Sequence, residues 1–180
     1  LLPSNLRALN LSHTRIESIR ALNLRKLAKL RELEVYRTSF ADDDVTDLME
    51  LKQLRILDLR YTNVTDVGLA NLNKRLALEV LCFPHRATDA GVKFNIQTKS
   101  ARALDLSYSN VSDDGLESLA KSTRLKWLSL RSARKISTRG VNAICGLADL
   151  EYVDLANTNV TDNVMERLGR LTSLRTLLLS

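Results

Sequence analysis

The 180-residue sequence contains only two cysteines, two prolines, six glycines and eight aromatic residues. Two cysteines exclude a disulfide framework and a four-cysteine zinc site, and such sparing use favours a reducing, intracellular compartment. No apolar run approaches the roughly 20 residues that a membrane span requires. The glycines stand singly, so neither a phosphate-binding loop nor a dinucleotide fingerprint occurs. An initiator Met and a signal peptide are also missing: the chain opens Leu1-Leu2-Pro3 and reads as a piece of a longer polypeptide. With 44% hydrophobic and 27% charged residues, it is not a disordered chain.

What the sequence does contain is repetition. The pattern L-x-x-L-x-L starts at Leu6, Leu30, Leu54, Leu78, Ala101, Leu125, Leu150 and Leu174, with successive gaps of 24, 24, 24, 23, 24, 25 and 24 residues. The apolar fourth and sixth positions alternate with polar ones, as a strand with one buried face requires. A second lane, meaning one position read across the repeats, follows each strand: Ser18, Asp42, Asp66, Asp89, Asp113, Thr138 and Asp162. These residue types favour helix N-caps, and apolar residues follow them at helical spacing: Leu69 and Leu72 after Asp66, Leu116 and Leu119 after Asp113, Val141 and Ile144 after Thr138. Gly68, Gly91, Gly115 and Gly140 come just after these caps, where the helix is expected to lie close to the sheet. Each unit is thus a strand, a turn and a helix returning behind the sheet. Such a unit buries its apolar face only by stacking on its neighbours.

The segment Leu54-Arg-Ile-Leu57-Asp-Leu59-Arg-Tyr-Thr62-Asn-Val64-Thr65-Asp66-Val-Gly68-Leu69 resembles the T-x-V-T-D-x-G-L class of leucine-rich repeats. That class is similar to the cysteine-containing repeats of F-box proteins and to bacterial repeat arrays. The resemblance covers essentially the whole chain and implies an α/β leucine-rich repeat solenoid, a right-handed β-α superhelix. A curved parallel sheet lines its concave side and helices or helical turns its convex side. The whole of residues 1–180 reads as one array of about eight repeats. Such families place Asn, Cys or Thr in a lane occupied here by Thr14, Thr38, Thr62, Ser109, Ala133 and Thr158, whose hydroxyls can bond the backbone of the adjacent turn.

In this fold strand positions two, three, five, seven and eight reach the concave surface. Position two reads Arg7, Arg31, Arg55, Glu79, Arg102, Lys126, Glu151 and Arg175; position five reads Asn10, Glu34, Asp58, Cys82, Asp105, Ser129, Asp154 and Leu178. Neighbouring strands lie about 4.8 Å apart, so these basic and acidic lanes are expected to cross-pair. All four tyrosines and the tryptophan fall on surface positions of strands. Phe40 and Phe83 fall on inward ones. Tyr36, Arg37, Arg60, Tyr61, His85, Tyr108 and Arg131 should gather at the C-terminal ends of the strands, with Trp127 and Tyr152 along the other margin near Ile56 and Val80. Large rings joined to arginine make strong interface anchors, so these nine residues form the candidate partner-binding site. Tyr61, Tyr108 and Arg60 are expected to serve binding rather than stability.

The repeat breaks in two places. Repeat four carries Cys82, Pro84 and His85, loses one residue and continues Val92-Lys-Phe94-Asn-Ile96-Gln-Thr98 without a clean amphipathic pattern. Pro84 lacks an N–H, so strand pairing is expected to fray there. Repeat six gains a residue at Arg134-Lys135. A Cys82–His85 nucleophile is disfavoured: a spacing of three points the side chains to opposite faces, and flanking Asp58 and Asp105 would raise the thiol pKa. No catalytic residue, metal ligand set or cofactor is predicted.

The net charge of +6 raises the question of anionic partners. Arg25, Lys26, Lys29, Lys74, Arg75, Lys121, Arg124, Arg167 and Arg170 fall near the ends of convex helices, where cations complement the helix dipole. Nucleic acid is therefore the weaker candidate partner. The last strand, Leu174-Arg-Thr-Leu177-Leu178-Leu179, would present an open apolar edge, to be covered by further repeats or by a partner. The sequence points to a non-enzymatic protein–protein interaction module. The alternatives are a structural subunit contacting through its edges and convex face, and, from the resemblance alone, a substrate-recognition arm of a ubiquitin ligase.

Overall fold

In a computed structural model of the chain, residues 2–16, 19–73, 76–95 and 100–180 are described, and each L-x-x-L-x-L motif among them contains one three-residue strand. The strands are β1 (Ala8–Asn10), β2 (Glu32–Glu34), β3 (Ile56–Asp58), β4 (Val80–Cys82), β5 (Ala103–Asp105), β6 (Trp127–Ser129), β7 (Tyr152–Asp154) and β8 (Thr176–Leu178). They form one parallel sheet in strict sequence order, β1 to β8, with each motif position paired to its equivalent in the next repeat. Behind the sheet run α1 (Asp42–Leu48), α2 (Asp66–Asn73), α3 (Asp89–Asn95), α4 (Asp113–Leu119), α5 (Thr138–Ile144) and the short α6 (Met165–Leu168). The first repeat uses two 3-10 turns instead, Ile19–Leu22 and Leu24–Lys26; Ser18, Lys74, Arg75 and residues 96–98 lie outside the described residues. Repeat four does form a regular helix, α3, despite its irregular pattern, with Val92 buried and Phe94 exposed. This architecture is the leucine-rich repeat fold.

The core is the stack of inward lanes. Leu33, Leu57, Leu81, Leu104, Leu128 and Val153 at position four, and Val35, Leu59, Phe83, Leu106, Leu130 and Leu155 at position six, are all buried, as is Phe40. The hydroxyl lane is local: Thr14, Thr38, Thr62 and Thr158 each donate to the carbonyl three residues earlier, at 2.6–2.7 Å.

The aspartate lane has a different role from the expected N-cap. Asp42, Asp66, Asp89 and Asp113 are the first helical residues, and the caps lie one residue earlier; Ser112 and Ser137 accept from Asp114 N and Arg139 N. Each aspartate reaches instead into the following repeat. Asp42 accepts from Thr65 N and Oγ1 at 2.8 and 2.6 Å, and Asp66 from the same atoms of Thr88 at 2.9 and 2.5 Å. Asp89 does the same with Ser112, at 2.7 Å for both bonds, and Asp113 with Ser137 at 2.8 and 2.6 Å. Where the lane carries Thr138, the link to Thr161 lengthens to 3.1–3.2 Å, and the next helix shortens to a 3-10 turn and α6.

The lane glycines make this approach possible. They face the preceding repeat's aspartate, not the sheet: a Cβ on Gly115 would lie 2.6 Å from both Asp89 Oδ1 and Val111 Cγ1. Ala forms helix better than Gly by about 1 kcal/mol, but this overlap has to be relieved by displacing the clamp. Gly115→Ala is therefore expected to destabilise the fold by about 1–3 kcal/mol in denaturant unfolding. Burial acts to raise the pKa of Asp113, yet the Ser137 bonds and the Arg139 guanidinium outweigh it and hold the carboxyl below its ordinary value near 3.8. A lowered native pKa stabilises at pH values above 3.8, and that stabilisation is lost as pH falls through the native value. Asp113→Asn should lower stability at pH 7 and flatten the acid limb of a stability-versus-pH curve; an unchanged acid limb would contradict this.

Candidate functional site

The concave surface is organised by the carboxylates at position five. Asp58, Asp105 and Asp154 are only 3–6% exposed. Each accepts the backbone N–H two residues on, from Arg60, Ser107 and Ala156, at 2.9 Å; Asn10 does the same for Ser12. These short Asx turns end the strands. In repeat four position five is Cys82 and position seven is Pro84, so acceptor and donor are missing together. The fraying expected at Pro84 accordingly does not reach the strand: β4 pairs in full register on both sides, and Phe83 N donates to Asp105 O at 2.8 Å. The effect is confined to the next rung. His13, Arg37, Tyr108 and Ser132 each donate an N–H to the following repeat's position seven, and among the described residues Tyr61, His85 and Asn157 make no such bond.

Arg60 covers the gap that Cys82 leaves. Its Nη2 lies 2.6 Å from Asp58 Oδ2 and its Nη1 3.1 Å from Asp105 Oδ2, so one guanidinium bridges two carboxylates across the intervening strand. Arg131 Nε likewise meets Asp154 Oδ2 at 2.9 Å. The acidic lane is thus paired with position seven, two residues along the same face, and not with position two as expected. Position-two cations bond within their own lane: Lys126 Nζ lies 2.6 Å from Glu151 Oε1, and Arg55 Nε 3.9 Å from Glu79 Oε1. Burial, followed by the fields of Asp58 and Asp105, pushes the Cys82 thiol far above its usual range, which keeps it protonated. No group of three or more His, Cys, Asp or Glu side chains suited to a metal occurs among the described residues.

Above this layer the rings of His13, Tyr36, Tyr61, His85 and Tyr108 join into a ladder over five consecutive repeats. Centroid separations are 4.9 Å for His13–Tyr36, 5.5 Å for Tyr36–Tyr61, 5.9 Å for Tyr61–His85 and 6.0 Å for Tyr61–Tyr108. The Arg37 guanidinium sits 5.8 and 5.5 Å from the Tyr36 and Tyr61 ring centres, and that of Arg60 sits 5.4 Å from the Tyr36 ring. Burial, with smaller effects from Tyr108 and Tyr36, raises the Tyr61 pKa, so its phenol remains a neutral hydrogen-bond donor. Tyr61 and Tyr108 also occupy left-handed backbone, with φ of 54° and 59°, as do His13, Arg37, Ser132 and Asn157 in the same lane. Of these residue types Asn suits that conformation best, and bulky rings suit it poorly.

Along the other margin Trp127 and Tyr152 stack at 4.9 Å with their planes 11° apart. They continue a strip of half-buried position-three residues, Ile56, Val80 and Ala103, in register across β3 to β7. The structure therefore brings Tyr36, Arg37, Arg60, Tyr61, His85 and Tyr108 into one cluster, places Arg131 over Asp154, and sets the Trp127–Tyr152 pair apart. What lane reading missed is the keystone role of Asp58 and Asp105; a carboxylate two residues before a turn was the available signal. Arg60 also bridges Asp58 and Asp105, which adds a structural contact to the binding role expected of it. Arg60→Ala strands two buried carboxylates and is expected to cost about 2–3 kcal/mol, below the 3–5 of a fully buried pair because the guanidinium is partly solvated; equilibrium unfolding would measure it.

A leucine-rich repeat family profile matches residues 52–72 and 102–120. No curated protein matches the sequence. Among solved structures, an internalin of Listeria monocytogenes superposes with a TM-score of 0.68 at 24% identity; the match covers 98% of this chain and 55% of the internalin chain. Internalin C2 of the same organism superposes with a TM-score of 0.71 at 19% identity, covering 97% of this chain and 80% of the other. These likenesses show the leucine-rich repeat fold, and the chain spans just over half the length of the first internalin.

Proposed function

We propose that the concave face of this repeat array docks a protein partner without catalysis. The grip would run from the ring ladder at the strand C-termini to the Trp127–Tyr152 stack. Leucine-rich repeat arrays generally use extended concave surfaces for binding. The observation that carries the reading here is the ladder itself. Five rings converge from five repeats, and Tyr61 and Tyr108 hold left-handed backbone that costs an ordinary side chain about 1–2 kcal/mol. Packing alone gives no reason for rings at those two positions, whereas preorganised aromatic anchors are what an interface needs. Arg37 and Arg60 stiffen the rings by cation–π contact, which lowers the entropy lost on binding. A recognition arm within a larger machine would use the same face.

Tyr61→Asn with Tyr108→Asn separates binding from folding. Asn suits left-handed backbone, so the thermal midpoint should hold or rise, while a protein retained by the wild-type chain from its source extract should bind at least tenfold more weakly. A partner that binds this double variant as well as wild type, and is lost on Arg124→Glu with Arg167→Glu, would move the contact to the convex face and establish the structural-subunit alternative.

A further inference from the structure

The turn residues that follow the strands form a rim of one sign. Residues 12–15, 36–39, 60–63, 84–86, 107–110, 131–135 and 156–159 contain seven basic residues and no Asp or Glu, although 21 acids in 180 positions would place about three in these 28 by even spread. Arg60 and Arg131 are neutralised from below by Asp58, Asp105 and Asp154. The other five, Arg15, Arg37, Arg86, Arg134 and Lys135, are exposed and make no ion pair with a described residue. Two of them come from the repeat irregularities. In repeat six Lys135 takes the bridging place opposite Ser112 that Asn63 takes opposite Ala41, and the inserted Arg134 projects beside it. In repeat four the shortened turn leaves Arg86 on the rim.

We infer that this rim, lying beside the ring ladder, receives an extended acidic segment of the protein partner; the inference rests on the docking function proposed above and specifies the chemistry of its ligand. From Arg15 in repeat one to Lys135 in repeat six is five strand spacings, about 24 Å, the reach of roughly seven extended residues. Arg37, Arg86 and Arg134 each stand two repeats apart, about 10 Å, which matches a carboxylate at every third residue of an extended chain. Among the described residues, the aspartates of position five lie buried beneath Arg60 and Arg131, and Glu34, which accepts from Asn10 Nδ2 at 2.7 Å, is the remaining acid of that lane. A single-stranded nucleic acid would need free ring faces for base stacking. Here Tyr36 and Tyr61 already carry guanidinium groups, and Tyr61 and His85 cover one another at an interplanar angle of 23°. The rim therefore offers charges to carboxylates, while Tyr36 and Tyr61 are already engaged and Tyr108 is the most exposed of the tyrosines at 50%.

The test uses three fluorescein-labelled probes on the full chain in 50 mM salt: the nine-residue peptide (Glu-Ser-Gly)3, its Gln counterpart, and a nine-nucleotide oligothymidylate. Anisotropy should show binding of the Glu peptide alone, weakening in 300 mM salt and falling at least tenfold in Arg37→Glu/Arg86→Glu/Arg134→Glu. The convex control Arg124→Glu/Arg167→Glu should match wild type. No binding of the Glu peptide, equal binding of the Gln peptide, an unaffected rim variant, or tighter binding of the oligonucleotide would each overturn the acidic segment. A natural partner that the rim variant keeps but Tyr61→Asn/Tyr108→Asn loses also overturns it, leaving the docking face standing. A partner kept by the tyrosine variant counts against the docking face itself.

Discussion

A carboxylate set between two repeats draws its donors from the following one, a backbone N–H and a hydroxyl. The bond runs from Asp42 to Thr65, Asp66 to Thr88, Asp89 to Ser112 and Asp113 to Ser137. Each aspartate opens its own helix while holding the entry to the next. Helix position, inter-repeat spacing and strand register are thereby set together. The clamp also dictates where side chains are forbidden, because the carboxylate occupies the space a Cβ would need at the lane glycines. Apolar stacking supplies most of the driving force for such an array, but it is not directional. The clamp adds the direction.

The opposite side of each repeat solves a related problem with different residues. A strand of three residues must end in a turn, and the amide at position seven is left outside the ladder. Asx turns from Asn10, Asp58, Asp105 and Asp154 take it up. Burying those carboxylates then calls for cations, which Arg60 and Arg131 provide, and Arg60 in turn supports the Tyr36 ring. A turn requirement thus propagates outward, through charge neutralisation, to the placement of an aromatic surface.

Much of this was legible in the sequence. The period, the eight strands, the inward lanes and the gathering of Tyr36, Tyr61, His85 and Tyr108 all follow from alternation and spacing, since a parallel in-register sheet carries lane identity directly into space. Pair identity within lanes was harder to read. Aspartate before a helix looks like an N-cap in any one repeat, and only the neighbouring repeat's donors show otherwise. Positions two and five look complementary on paper, yet the pleat places position five beside position seven. Pro84 appeared to threaten pairing because its lost N–H was counted as a ladder donor, when that donor belongs to the turn.

Cys82 and Pro84 form a unit of exchange. A segment crossing over between repeats inside that stretch would combine an aspartate with a proline, leaving a buried carboxylate short of a donor. The reciprocal product would join a cysteine to a residue whose amide has no acceptor. Recombination or consensus engineering of this array thus has natural seams in the convex helices, and repeats transferred whole across those seams carry their turn chemistry intact. The array is modular at the level of its helices and indivisible at the level of its turns.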